Sequence, residues 1–181
     1  MLRRAELSDL GEICQLREES ARWLARAGFD QWNNTGISLG QFSQRVTESI
    51  DGGETWVIEQ DAHVVSTAAI DSKSDPGLWS KEELRESVII HRMMTSREYS
   101  GRGYGSLLIK LARHIGFRRG KNYVRLDAWS SNESLHRYYE EQGFRLVRVS
   151  TNHGTPSGAL FEIASADFSE VDSIERALRG E

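Results

Sequence analysis

The stretch Ser100-Gly101-Arg102-Gly103-Tyr104-Gly105 constrains this chain more than any other. It follows the apolar run Val88-Ile89-Ile90-His91-Arg92-Met93-Met94 and opens the helical pattern Leu107, Leu108, Leu111, Ala112. Glycine at every second position strips side chains from the point where a helix begins. Several backbone N–H groups are then left facing outward with nothing to shield them. A helix N-terminus also carries about half a positive charge. Together these features suit a phosphate or pyrophosphate, so the unit points to a phosphorylated ligand.

Two nucleotide-binding patterns can be tested against the letters. A P-loop needs Lys and then Ser or Thr after its last glycine, whereas Gly105 is followed by Ser106 and Leu107. A dinucleotide fingerprint needs a third glycine one residue later than Gly105, directly after a strand. The polar stretch from Thr95 to Ser100 separates strand from turn here, although Asp127, near the end of the next strand pattern, keeps that reading open. An ordinary strand-to-helix connection is the third reading of the glycines.

The downstream sequence decides among them. From Asn132 the chain runs Asn-Glu-Ser-Leu-His-Arg-Tyr-Tyr-Glu-Glu-Gln-Gly-Phe. This closely resembles the GNAT family, acyltransferases that take their acyl group from acetyl-CoA. That family's main motif is Gln or Arg, two residues, Gly, one residue, then Gly or Ala. It maps onto Ser100 to Gly105, with Gly103 and Gly105 matching and Ser100 departing. The second motif is Asn, a Tyr seven residues on, then Gly-Phe, and Asn132, Tyr139, Gly143 and Phe144 match it in order and spacing. The two motifs with their preceding strands cover residues 88–149.

A length of 181 residues fits one domain with a full core, expected over residues 1–165, with 166–181 a tail carrying at most a short helix. The net charge of −4 argues against a general nucleic-acid binder, which needs a basic surface. Cys14 is the one cysteine, so no intrachain disulfide can form, and its helical setting predicts a small buried hydrophobe. No apolar run approaches the roughly 20 residues that span a bilayer, and the N-terminus lacks the apolar region of a secretory signal. The expectation is a soluble, cytoplasmic protein that needs no membrane and no metal.

Periodicity predicts a first strand over 2–6, a helix from Asp9 to Leu24 opened by an Asp9–Glu12 capping box, and a second helix from Leu39 to Ile50. A hairpin turns at Gln60-Asp61-Ala62, and residues 71–85 form a loop with a helical turn at 80–85. Strands follow at 88–95, 123–128, 144–149 and 158–163, with helices at 103–119 and 132–142. The result is a mixed α/β architecture. The resemblance implies a GNAT-like acyl-CoA N-acyltransferase fold: a central, mostly antiparallel sheet with two splayed strands, flanked by helices, and the cofactor in the splay.

Acyl transfer to an amine needs the cofactor held, the amine neutral, the carbonyl polarised and the leaving thiolate protonated. A lysine-like amine has a pKa of about 10.4, so neutralising it at pH 7 costs about 4–5 kcal/mol, and a base has work to do. The N–H groups from Gly101 to Ser106, with Arg102 and Tyr104 in the same turn, suit the cofactor pyrophosphate. By resemblance, the backbone of Met93, Met94 and Thr95 pairs with the pantetheine amides. Asn132 opens a helix and so reads as an N-cap, to which the resemblance adds a contact with the cofactor arm.

Tyr139 falls where the family places its general acid, while Tyr138, about 100° away on the helix, reads as packing. Two groups compete as base. His91 has a reference pKa of about 6.5 and stands on the strand where some small-amine GNAT members carry His. Asp127 stands where some protein N-terminal acetylating members carry Glu, yet it shares a strand face with Arg125 and can pair with it. His114 and His136 read as surface helix residues. The resemblance builds the acceptor wall from the first helices and the hairpin, which here implies Phe29, Asp30, Trp32 and Trp56. Aromatics beside an acid suit a cationic amine.

The reading is an acetyl-CoA-dependent N-acetyltransferase acting on a small primary amine, with a homodimer as an open option. Acetylation of a protein N-terminus or lysine is the second reading, and a CoA-binding sensor without catalysis the third.

Overall fold

The computed structural model describes residues 1–29, 31, 37–150 and 157–165. The expected tail over 166–181 lies outside the described residues. The described chain divides into two compact units. The first holds Met1–Ile70 and Arg92–Leu108, and the second holds Asp71–His91 and the described residues from Ile109 onward.

In the first unit, strand β1 (Leu2–Arg4) pairs antiparallel with β2 (Thr55–Gln60), and β2 with β3 (His63–Asp71). The β2–β3 turn places both Asp61 and Ala62 at positive φ, 52° and 63°. That is the backbone a two-residue turn needs to match the strand twist. Helix α1 (Leu10–Arg26) buries Ile13, Leu16, Arg17, Ala21 and Leu24, the stripe its spacing predicts. Arg17 stays in this face by laying its guanidinium over Phe42 and donating to the Ile37 carbonyl. Helix α2 (Leu39–Asp51) opens on a Ser38–Gln41 capping box. Together α1, α2 and β2 enclose Ile13, Leu16, Phe42, Val46, Ile50 and Val57, with Cys14 partly buried at the margin. Burial raises the Cys14 thiol pKa, as its hydrophobic role requires.

The capping box expected at Asp9–Glu12 is displaced by one turn. Glu6 and Asp9 form it around a short 3-10 turn, Leu7–Asp9, and Arg3 grips the Asp9 carboxylate with two nitrogens, holding its pKa low. Glu12 instead accepts from the Val64 N–H and lies 3.1 Å from His63 Nδ1.

The second unit contains helix α3 (Lys81–Arg85), where the sequence predicts a helical turn, and strands β5 (Tyr123–Ala128), β6 (Arg145–Val149) and β7 (Ala159–Ala164). β7 pairs antiparallel with both β5 and β6. Strand β4 (Ser87–Thr95) pairs parallel with β5 over three residues, Ser87 to Ile89, and their ladder ends there. Helix α4 (Tyr104–Arg118) fills the crossover between these parallel strands. Helix α5 (Glu133–Glu141) precedes β6. The seven strands run in the order β1-β2-β3-β4-β5-β7-β6, a mixed α/β sheet flanked by helices as expected.

Charge is sunk deep in the second unit. Arg125 pairs with buried Glu162 across the β5–β7 register, and Arg145 reaches the same carboxylate. The Arg125 and Arg148 guanidinium groups each lie over the Trp79 ring, 5.0 Å from its centre. Arg148 also clasps Glu83 on α3 with two nitrogens, which pushes the Glu83 pKa down to about 2.

A depressed folded-state pKa stabilises the fold fully above the ordinary glutamate range, and the contribution fades as pH falls toward the folded value. Glu83→Gln keeps an oxygen for the Ser80 cap but removes the charge. Urea unfolding is expected to find this variant less stable by about 1–2 kcal/mol near pH 6, after discounting for solvent screening. The gap should roughly halve by about pH 3. A gap that does not change with pH would place the cost in packing instead of charge.

Candidate active site

The glycine turn belongs to the first unit. Gly101 and Gly103 have φ of 79° and 83°, conformations that an L side chain resists. Gly105 lies inside α4, which starts at Tyr104, one residue later than expected. The first helical bond runs from the Leu107 N–H to the Gly103 carbonyl. Among the described residues, none of the N–H groups of Gly101, Gly103, Tyr104, Gly105 and Ser106 donates a hydrogen bond. A Cβ built at Gly101 or Gly103 would meet no protein atom within 4 Å. Five open donors on an unshielded turn fit a phosphate group.

Side chains on either side fix this turn. Glu19 on α1 accepts from the Arg97 N–H at 2.8 Å, and the Arg97 guanidinium lies 3.9 Å from the centre of the Trp23 ring. Tyr104 donates its hydroxyl to Gln60, and Arg102 lies over the Tyr99 ring. Ser100 is exposed. Just upstream, Met94 is buried in the core and its carbonyl accepts from the Ser66 hydroxyl, while Met93 and Thr95 are half-buried.

The second unit holds His91, Asp127, Asn132 and Tyr139. His91 Nε2 lies 3.0 Å from Asp71 Oδ1 and 2.8 Å from the Lys73 carbonyl oxygen. Asp71 is 4% exposed, and the same Oδ1 accepts the Lys73 N–H at 2.7 Å. Sequence reading missed Asp71. It ends β3, and the contact spans 20 positions that no periodicity links.

Asp127 does not pair with Arg125, which Glu162 occupies. Its carboxylate accepts the Ser157 hydroxyl. Burial raises the Asp127 pKa, and the Ser157 bond and the charge of His91 oppose that rise.

Tyr139 is 8% exposed, with its ring against Tyr138, Phe144 and Phe161 at centroid distances of 5.4 to 5.8 Å. Burial moves its pKa well above that of a free phenol, and the Tyr138 and Asp127 charges add to the rise. Among the described residues its hydroxyl has no hydrogen-bond partner. Packing thus falls to Tyr139, while Tyr138 is half-buried. Asn132 is buried and caps α5 by accepting the Leu135 N–H, as the N-cap reading expects.

Two minor expectations are corrected. His136 is half-buried, with Nε2 2.9 Å from the Trp129 carbonyl oxygen and its ring on Phe161. His114 is half-buried too, so neither is a surface residue. Of the acceptor-wall residues, Phe29 is half-buried and Trp56 carries Arg4 over its ring. Asp30 and Trp32 lie outside the described residues. Among the described residues, no helix is long and apolar enough to cross a membrane, and no group of three His, Cys, Asp or Glu could hold a metal.

Comparison with known proteins gives a consistent result. The Acetyltransferase (GNAT) family model matches residues 15–144. The chain is 30% identical over 146 residues to the N-acetyltransferase YesJ of Bacillus subtilis strain 168, spanning 79% of this chain and 80% of that one. Among solved structures, a GNAT family acetyltransferase from Listeria monocytogenes superposes with a TM-score of 0.71 at 26% identity, over 91% of this chain and 94% of the other. The PaiA N-acetyltransferase of Thermoplasma acidophilum, solved in complex with coenzyme A, superposes with a TM-score of 0.67 at 16% identity, over 91% and 98%.

Proposed function

The chain belongs to the GNAT acetyltransferase family and is an acyltransferase, and from that premise we propose that it moves an acetyl group from acetyl-CoA to the primary amine of a small molecule. The observation that carries the cofactor half is the set of five open N–H groups from Gly101 to Ser106. They would receive the pyrophosphate of acetyl-CoA, with Ser100, Arg102 and Tyr104 completing the turn. The backbone of Met93, Met94 and Thr95 would run beside the pantetheine arm, and Asn132 would contact it while capping α5.

When bound, acetyl-CoA supplies an activated thioester carbonyl. His91 removes one proton from the substrate ammonium and passes it to solvent. The neutral nitrogen forms the new C–N bond as the C–S bond breaks. Tyr139, kept protonated by burial, gives its proton to the departing sulfur and regains one from the nitrogen. Two protons leave the ammonium nitrogen: one ends on the CoA thiol and one in solvent.

A second reading rests on Asp127. Burial lifts its carboxyl toward the range of a useful base, and its strand position resembles that of the acid in protein N-terminal acetylating members. Turnover with acetyl-CoA against a panel of small amines, lysine peptides and peptides with free N-termini separates the two. Small amines are expected to lead, and His91→Gln is expected to lower their turnover while some survives through water. Turnover confined to peptides, abolished by Asp127→Asn and indifferent to His91→Gln, would reverse the assignment.

Gly103→Asp puts a carboxylate on the turn where the phosphate would approach, and its Cβ would meet no protein atom within 4 Å. Acetyl-CoA affinity should fall at least tenfold, about 1.4 kcal/mol or more. Calorimetry finding the same affinity in a folded variant removes the turn from the site.

Tyr139→Phe keeps the ring on Phe144 and Phe161 and deletes the proton. Turnover is expected to fall by about 10²-fold, the scale of general acid catalysis, with acetyl-CoA affinity nearly unchanged. A similar loss in Tyr138→Phe alone would move the role to its neighbour.

A further inference from the structure

His91 Nε2 faces two groups, the Asp71 carboxylate at 3.0 Å and the Lys73 carbonyl oxygen at 2.8 Å. A carbonyl oxygen can only accept a hydrogen bond. Nε2 must therefore carry a proton, whatever the state of Asp71. The neutral imidazole then keeps its lone pair on Nδ1. Among the described residues Nδ1 makes no hydrogen bond, and it is not among the buried polar atoms left without one.

The arrangement is built from the end of β3. Asp71 is almost fully buried, and its Oδ1 is fixed by the Lys73 N–H as well as by His91. Residues 71–73 thus form a short hook that presents an acceptor from a side chain and another from the backbone to the same ring nitrogen. A charge forming on the imidazole would meet a carboxylate already in place, with little reorganisation.

We infer that Asp71 and the Lys73 carbonyl position His91 as the Nε2–H tautomer, so that Nδ1 is the atom that takes the substrate's proton. Asp71 is a positioning residue, acting through the ring it faces. This inference rests on the proposed role of His91 as base, but its first test does not.

That first test is the ring tautomer of the intact protein, read by nitrogen-15 NMR with the His91 signals assigned through His91→Gln. The expected spectrum has a protonated Nε2 and an unprotonated Nδ1. The reverse pattern in the wild type overturns the inference even if His91 proves to be the base. Asp71→Ala also releases the Lys73 N–H that holds the Lys73 carbonyl against the ring, so it should give mixed tautomers and a kcat lower by at least about tenfold, with the KM for acetyl-CoA within about twofold. Asp71→Asn can keep an oxygen at the Oδ1 position, so it should restore the tautomer and part of kcat. If the alanine variant does not fold, the wild-type and asparagine spectra decide. A folded Asp71→Ala that keeps tautomer and kcat overturns the role of Asp71. Failure of the base reading has a different signature: His91→Gln leaves turnover intact while the wild-type tautomer is as expected.

Discussion

Strand β4 turns on Arg92. This residue has a φ of 48° inside a strand, a conformation that costs an L-residue on the order of 1–2 kcal/mol. A regular strand buries every second side chain, yet His91, Arg92 and Met93 are all half-buried. Before this break, Ser87 to Ile89 form the parallel ladder with β5, and Val88, Ile89 and Ile90 are core residues. After it, Met94 returns to the core and its carbonyl is held by Ser66. The division into two compact units also falls between His91 and Arg92. A strained residue within a strand persists only when its surroundings over-determine it. Here core packing fixes the chain on both sides, and the strain falls next to His91.

The fold was largely legible because its signals are local. The stripe of α1, the turn at Asp61-Ala62 and the glycines of Ser100–Gly105 each encode backbone geometry within a few residues. Gly101 and Gly103 have the positive φ that makes glycine informative. What the sequence did not yield depends on pairing across distance. Asp9 and Glu12 have capping spacing, but Arg3 on β1 draws Asp9 into a different box and the β3 edge takes Glu12. Arg125 and Asp127 share a strand face, but β7 brings Glu162 opposite Arg125 and so removes the expected partner. Tyr138 and Tyr139 are the same letter, and packing against Phe144 and Phe161 decides which ring is buried.

The same limit hid Asp71. Its residue type carries no signal, because an aspartate at a strand end before Ser-Lys-Ser reads as the start of a loop. It takes on a role through the neighbouring strand, whose histidine arrives 20 residues later. His91 itself was visible, since an ionisable residue among Val88, Ile89 and Ile90 is costly unless it is satisfied. The structure supplies that satisfaction on one nitrogen and, among the described residues, leaves the other without a hydrogen bond, a division that residue type cannot convey.

Environment also separates the two aspartates of this unit. Asp71 Oδ1 accepts the Lys73 N–H and lies 3.0 Å from His91 Nε2. Asp127 has one hydroxyl, from Ser157, against a larger desolvation that raises its pKa. A carboxyl held up by burial regains its charge when a cation comes close. In the proposed reaction that cation is the substrate ammonium. Its arrival would strengthen Asp127 as an anion and weaken it as a base, because a carboxylate stabilised by a cation gives up that stabilisation on taking a proton. His91 behaves in the opposite way, since the proton it gains on Nδ1 adds a charge that Asp71 already faces. In the proposed reaction the two side chains would therefore serve different tasks, with Asp127 holding the ammonium and His91 deprotonating it.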